Sequence, residues 1–195
     1  MDQFPTYLLI GKDHILDKNG YDHILFVVAL CAVYAVRDWK KVLILVTAFT
    51  VGHSITLALA VYRVVTYSST VIEFLIPVTI FVTAVSNIFR SEDSVTKGNI
   101  HLNYIFAAVF GLIHGLGFST LLRELLGKNT DIVTQLLAFN IGLEIGQIIV
   151  VAIFMAVTFI IVDLAGFSRR DWKMVISSAI AGIALILIKD SELLT

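Results

Sequence analysis

The sequence predicts an all-α, polytopic membrane helix bundle of about six transmembrane helices, and three observations carry that reading. Of 195 residues, 58% are hydrophobic and only 15% charged, whereas soluble domains hold about 45–50% apolar and about 25% charged residues. The apolar residues fall in long continuous runs, and crossing a hydrocarbon core about 30 Å thick takes roughly 20 of them in a helix. These runs do not alternate with period two, which argues against a β-barrel. A formal net charge of -1, from 14 Lys+Arg and 15 Asp+Glu, supplies no basic surface for phosphates, so no nucleic acid is expected as a partner. The one cysteine, Cys31, rules out an internal disulfide framework and any CxxC motif.

Taken in order, residues 1–19 read as an N-terminal tail in which the amphipathic stretch Phe4 to Ile10 suits a short interfacial segment. Met1 to Gly11 has no basic start followed by a long apolar stretch, so insertion is expected through the chain's own helices. The first span, about Gly20 to Val36, reaches full length only by taking in Asp22 and His23. Val42 to Tyr62, Val71 to Phe89 and Leu102 to Leu122 follow, each long enough to cross. Ile132 to Val162 is longer and must tilt or extend beyond the bilayer, and Trp172 to Ile188 closes the series. Short connections make 1–195 one transmembrane domain.

For six spans, Lys12, Lys18, Arg63, Arg123, Lys128 and Lys189 share one face with both termini, which is 6 of the 14 Lys and Arg. Arg37, Lys40, Lys41, Arg90, Lys97, Arg169, Arg170 and Lys173 make up the other 8. The positive-inside rule then puts both termini outside; the membrane expected is a bacterial inner (plasma) membrane.

Ionisable groups within spans cost about 2.5–3.5 kcal/mol each on insertion scales, so each calls for a partner or a function. His53 lies midway along the second span, His114 midway along the fourth and Glu144 within the fifth. Asn140, Glu144 and Gln147 are spaced i, i+4, i+7 and share one helix face, which is expected to turn inward. Counted by depth, Asp22, His23, His53, His114 and Glu144 fall in the half of the membrane nearer the N-terminus, and His14 can fold over the same mouth. Imidazole nitrogen with carboxylate oxygen and no thiolate suits Ni2+, Co2+ or Zn2+. The bland alternative is that each His bonds a hydroxyl or a carbonyl between helices. Gly111 and Gly115 bracket His114, and Gly142 and Gly146 bracket Glu144, both as GxxxG, a spacing that lets helix backbones approach. An echo joins Ala48-Phe49-Thr50-Val51-Gly52-His53-Ser54-Ile55 to Ala138-Phe139-Asn140-Ile141-Gly142-Leu143-Glu144-Ile145. Copies three spans apart run in opposite directions, as in inverted-repeat transporters.

Five stretches together resemble the HupE/UreJ membrane-protein family: Gly11-Lys12-Asp13-His14-Ile15, Gly20-Tyr21-Asp22-His23-Ile24-Leu25-Phe26, Thr47 to Leu57, Gly111-Leu112-Ile113-His114-Gly115-Leu116-Gly117-Phe118 and Ala138 to Gln147. The resemblance spans nearly the whole chain. It implies a nickel or cobalt permease of the kind associated with hydrogenases and ureases. By resemblance the metal-handling positions are His14, Asp22, His23, His53, His114 and Glu144.

The resulting expectation is a permease that passes Ni2+ or Co2+ as substrate. Asp22, His23 and His14 would capture the ion at the outer mouth, and His53, His114 and Glu144 would form an inner site. Thr50, Ser54, Asn140 and Gln147 would orient those ligands. A second reading is an intramembrane hydrolase holding Zn2+ on three His with Asp22 or Glu144 as general base. No GxSxG nucleophile motif is present. A third is an assembly protein whose polar core fixes helix register. Membrane lipid and the metal ion are the expected partners, with a homo-oligomer left open.

Overall fold

The computed structural model describes residues 3–17, 20–90, 100–126 and 132–194. Among these residues there are seven α-helices and no strand: α1 (Phe4–Leu16), α2 (Asp22–Cys31), α3 (Trp39–Val61), α4 (Ser69–Phe89), α5 (Ile100–Leu126), α6 (Ile132–Thr158) and α7 (Arg169–Lys189). A 3-10 turn, Val36–Asp38, leads into α3, and a π-helical turn, Phe159–Leu164, prolongs α6. Five stretches are long and apolar enough to cross a membrane: Val36–Val61, Ser69–Phe89, Ile100–Leu126, Ile132–Leu164 and Arg169–Lys189. Their outer faces expose Ile44, Val51, Ile105, Ile153 and Val175. Lipid is the solvent such surfaces require, so this is an integral membrane protein. Lys18, Lys97 and Lys128, which entered the charge count, lie outside the described residues.

Local sequence sets the ends of the elements. Arg63 stops α3 in the left-handed region at φ 58, and Gly166 turns the chain after α6 at φ 74, where a Cβ is unfavourable. Ser168 then caps α7, its hydroxyl oxygen accepting the Asp171 N–H at 3.4 Å.

The N-terminal third departs from the expected tail followed by a first span. Residues of the tail form α1, with Tyr7, Gly11 and Ile15 buried, and the helix expected from Gly20 to Val36 is confined to Asp22–Cys31. Ten residues rise only about 15 Å, half of what a crossing needs. The two helices act together instead. α1 begins where Tyr7 donates to the Leu125 carbonyl at 3.1 Å and Gln135 donates to Gln3 at 2.5 Å. α2 finishes at the other end of the bundle, where Asn87 donates to the Ala29 carbonyl at 2.7 Å and Asn103 to the Tyr34 hydroxyl at 3.1 Å. Thirteen plus ten helical residues cover about 35 Å, enough for one discontinuous crossing. This brings the bundle to six crossings. Composition concealed the first half, because Lys12, Asp13 and Asp17 dilute its apolar character.

Two helix pairs of the same construction hold the bundle together. A Cβ on Gly11 would overlap the Phe139 carbonyl, and one on Gly111 would overlap the Phe49 carbonyl. Likewise Gly142 lies against Leu8 and Lys12, while Gly52 lies against Ala108 and Leu112. Gly115 and Gly146 extend the two contacts, against His53 and Thr56 and against Lys12 and Ile15. The pair α1–α6 thus repeats the contacts of the pair α5–α3, the echoed segments being its α6 and α3 members. Gly11-Lys12-Asp13-His14 corresponds to Gly111-Leu112-Ile113-His114. Since α3 and α6 are three crossings apart, the repeat is inverted.

Replacing a contact glycine by a branched residue should wedge the pair apart at about 1–3 kcal/mol, the usual cost of overpacking. At about 2–4 °C per kcal/mol for a chain of this size, Gly52→Ile and Gly142→Ile should each lower the detergent melting temperature by several degrees. Gly182→Ile should not, because nothing lies within 4 Å of a Cβ there.

Candidate metal centre

The break between α1 and α2 places two imidazoles side by side at mid-depth. His14, in the last turn of α1, and His23, in the first turn of α2, have ring centroids 4.5 Å apart. His53 comes from the middle of α3, 6.3 Å from the His14 ring and 6.2 Å from the His23 ring. His114 comes from α5, 5.2 Å from the His23 ring. The glycine contacts explain the convergence. His14 and His114 each sit three residues beyond a glycine seated on the partner helix, and His53 follows Gly52. Close backbone approach therefore aims all of them into one space.

This space is buried. His53 and His114 are 0% exposed and His23 is 4% exposed. The Asp22 carboxylate lies 3.2 Å from His23 Nδ1, and Thr79 on α4 lies 3.0 Å from His114 Nε2. The Thr79 hydroxyl also reaches the Ile76 carbonyl at 2.7 Å. Beyond these bonds, His14 Nε2, His23 Nε2, both nitrogens of His53 and His114 Nδ1 are buried without a partner. A buried polar atom left unpaired costs about 1–3 kcal/mol, and an imidazole nitrogen offers either a proton or a lone pair. Five such atoms converge around one centre, and their lone pairs are of the kind that borderline divalent ions accept.

Two groups are able to hold one. His14, His23 and His53 form the first, and Asp22, His23 and His114 the second, the ligand atoms within each group all lying within 4.8 Å of one another. Metal–nitrogen bonds of about 2.0–2.1 Å imply ligand separations of about 3.4 Å in a tetrahedral site. His23 belongs to both groups, so the two overlap.

Five of the six residues expected to handle metal are thus brought together. Glu144 is not in either group. Its carboxylate accepts from Thr47 and from Thr50, each at 2.5 Å. Asn140, Glu144 and Gln147 do share a face of α6, but that face meets the hydroxyls of α3 at a seam where Thr47 is exposed. Gln147 lies 2.8 Å from the Thr50 hydroxyl, and the Ser54 hydroxyl donates to the Thr50 carbonyl at 2.7 Å. Thr50 and Gln147 meet across this seam, Ser54 bonds back within α3, and Asn140 Oδ1 is buried without a partner. The hydroxyl that does meet an imidazole is that of Thr79, on His114, and it gave no signal in the sequence: one hydroxyl in an apolar run looks like any helix threonine.

Aromatic rings flank the cluster on two sides. Toward the N-terminal end, Phe118 lies 3.9 Å from the His14 ring and stacks on Phe139 at 5.0 Å. A basin of about 600 Å³ opens beside them, bordered by Asp13, His14 and Asp17. Toward the opposite end, Phe26 and Phe49 lie 5.1 and 5.2 Å from the His114 ring.

No curated protein and no solved structure shows significant similarity to the chain. The family model described as HupE / UreJ protein matches residues 1–190. With that match running over α1 to α7 and through every histidine of the cluster, the chain belongs to the HupE/UreJ family.

Proposed function

We propose that the protein is a membrane permease for a divalent transition metal, Ni2+ or Co2+, which it takes as substrate through the cluster of His14, Asp22, His23, His53 and His114. One observation carries this reading: five buried imidazole nitrogens without partners converge on a point beside a basin that Asp13, His14 and Asp17 border. Neutral imidazoles with a single carboxylate bind borderline divalent ions without the thiolates that would retain them. Two overlapping groups sharing His23 let an ion change ligands stepwise, which keeps each station weak enough to release it. The basin end, which carries both termini, faces outside the bacterial inner membrane. Asp13 and Asp17 draw the cation in there, and Asp22 with His14 and His23 receives it.

The reading is tested by uptake of radiolabelled nickel into proteoliposomes together with metal content of the purified protein. Wild type should take up nickel saturably and give up its metal during purification. His23→Ala removes both stations and His114→Ala one of them, so uptake should fall at least about tenfold in each, with the larger loss for His23→Ala. Undiminished uptake by His114→Ala contradicts the assignment. One tightly held zinc per chain without uptake would instead indicate an intramembrane hydrolase.

Thr79 is expected to set the tautomer of His114 by accepting its Nε2 proton, leaving the Nδ1 lone pair for the ion. Losing such a partner typically costs about 10–100-fold in affinity. Thr79→Val should weaken nickel binding by that amount, measured by calorimetry, and Thr79→Ser should restore it.

A further inference from the structure

On the far side of the rings that flank His114 lies a cavity of about 150 Å³, set between α2, α3, α4 and α5. Its wall is mostly hydrocarbon, from Leu30, Val33, Leu45, Val82, Phe106 and Phe110. Two of the polar side chains in that wall are engaged with protein. Thr83 donates to the Thr79 carbonyl at 2.8 Å, and Asn87 donates to the Ala29 carbonyl at 2.7 Å. An apolar space of about this size stays dry and takes up hydrocarbon. The cavity opens sideways between α4 and α5, two membrane spans, where Val82, Ser86 and Phe106 are exposed.

One end of this cleft has a different character. Arg90 follows the last turn of α4 and borders the cavity. Its guanidinium donates to Asn103 at 2.6 Å, and Asn103 donates in turn to the Tyr34 hydroxyl at 3.1 Å, which fixes the group at the cavity's edge. A guanidinium has five N–H donors. Asn103 takes one of them, and among the described residues no carboxylate pairs with Arg90. A second cation stands close by, because Lys173, near the start of α7, donates to the Arg90 backbone carbonyl. Its neighbour Trp172 is of the residue type that gathers at membrane–water interfaces. Arg90 thus ends a span at headgroup level, while the apolar wall reaches into the hydrocarbon.

We infer that this cleft is a binding site for one anionic phospholipid, an acyl chain filling the cavity and the phosphate seated on Arg90. In a bilayer an apolar chain has no hydrophobic reason to leave lipid for protein, so the chain contributes only its dispersion contacts with the wall. Retention and selectivity come from the head, because a planar guanidinium matches phosphate oxygens with paired N–H bonds. The Arg90 end lies opposite the basin, on the face that holds 8 of the 14 Lys and Arg. In the orientation proposed above that face is cytoplasmic, where anionic lipids collect. The bound chain packs on Phe110, which lies 5.9 Å from Phe26, itself 5.1 Å from the His114 ring. An occupied cleft therefore backs the rings behind the cluster, whatever the cluster binds.

The test is the lipid kept by detergent-purified protein after incubation with equal parts of phosphatidylglycerol and phosphatidylcholine, read by mass spectrometry of the intact complex. Wild type should keep one phosphatidylglycerol per chain, preferred over phosphatidylcholine at least about fivefold, as one basic group at a membrane surface provides. Arg90→Gln should lose the preference, with the Lys173 contact intact because that bond is to the backbone. Ser86→Phe, which blocks the mouth from an exposed position, should lose the lipid although Arg90 remains. Added phosphatidylglycerol should raise the melting temperature of wild type by several degrees and leave both variants unmoved. A wild type that keeps no lipid, equal retention of the two lipids, retention unchanged in Arg90→Gln, or a free fatty acid kept in place of a phospholipid overturns the proposal. No metal enters these readouts, so their outcome is separate from that of the permease reading.

Discussion

Everything in this structure depends on backbone-to-backbone contact at a few glycines. α1 has 13 residues, about 20 Å, and carries Lys12 and Asp13, with Asp17 just beyond its end, so its own sequence would not carry it across lipid. It is held by α6, because Gly11 and Gly142 let the two backbones touch. That contact fixes the depth at which α1 stops, and hence where His14 meets His23. The equivalent contact of α5 with α3 delivers His114 and His53 to the same level. Small residues at helix contacts are a general device for close approach in membranes. Here they also aim the histidines.

From that arrangement follows an electrostatic consequence. Four imidazoles packed in an apolar core cannot all satisfy one another, since each neutral ring brings one donor and one acceptor. Asp22 and Thr79 take one nitrogen each from His23 and His114. Under the proposed function, the lone pairs left over are what a divalent cation takes up, and the cost of the unpaired core is offset when an arriving ion completes the site. Glu144 illustrates the contrast: its carboxylate accepts from two threonine hydroxyls at the α3–α6 seam.

Much of this was legible in the sequence, for identifiable reasons. Continuous apolar runs report lipid contact directly, so five crossings were read within a few residues of their observed bounds. Depth counting along those runs placed His23, His53 and His114 together, because rise per residue is fixed. Other features depend on which helix neighbours which, and periodicity is silent on that. The spacing of Asn140, Glu144 and Gln147 gave the shared face but not its neighbour, which is Thr47 and Thr50 in place of the imidazoles. α1 was legible only as the short interfacial stretch Phe4 to Ile10, because the contact with α6 that holds the rest of it is tertiary. The eight-residue echo between α3 and α6 marked a true structural repeat. Its other half, the GxxH shared by α1 and α5, emerges only once the pairs are seen together.

The central claim is that the imidazole cluster is the ligand set of a divalent metal ion, and X-ray absorption at the nickel edge of the loaded protein tests it most directly. The account predicts nitrogen and oxygen neighbours at about 2.0–2.1 Å, outer-shell scattering from several imidazoles, no sulfur, and loss of the imidazole signal in His23→Ala. An ion surrounded only by water and carboxylate oxygen, with a spectrum unchanged in His23→Ala, would contradict it.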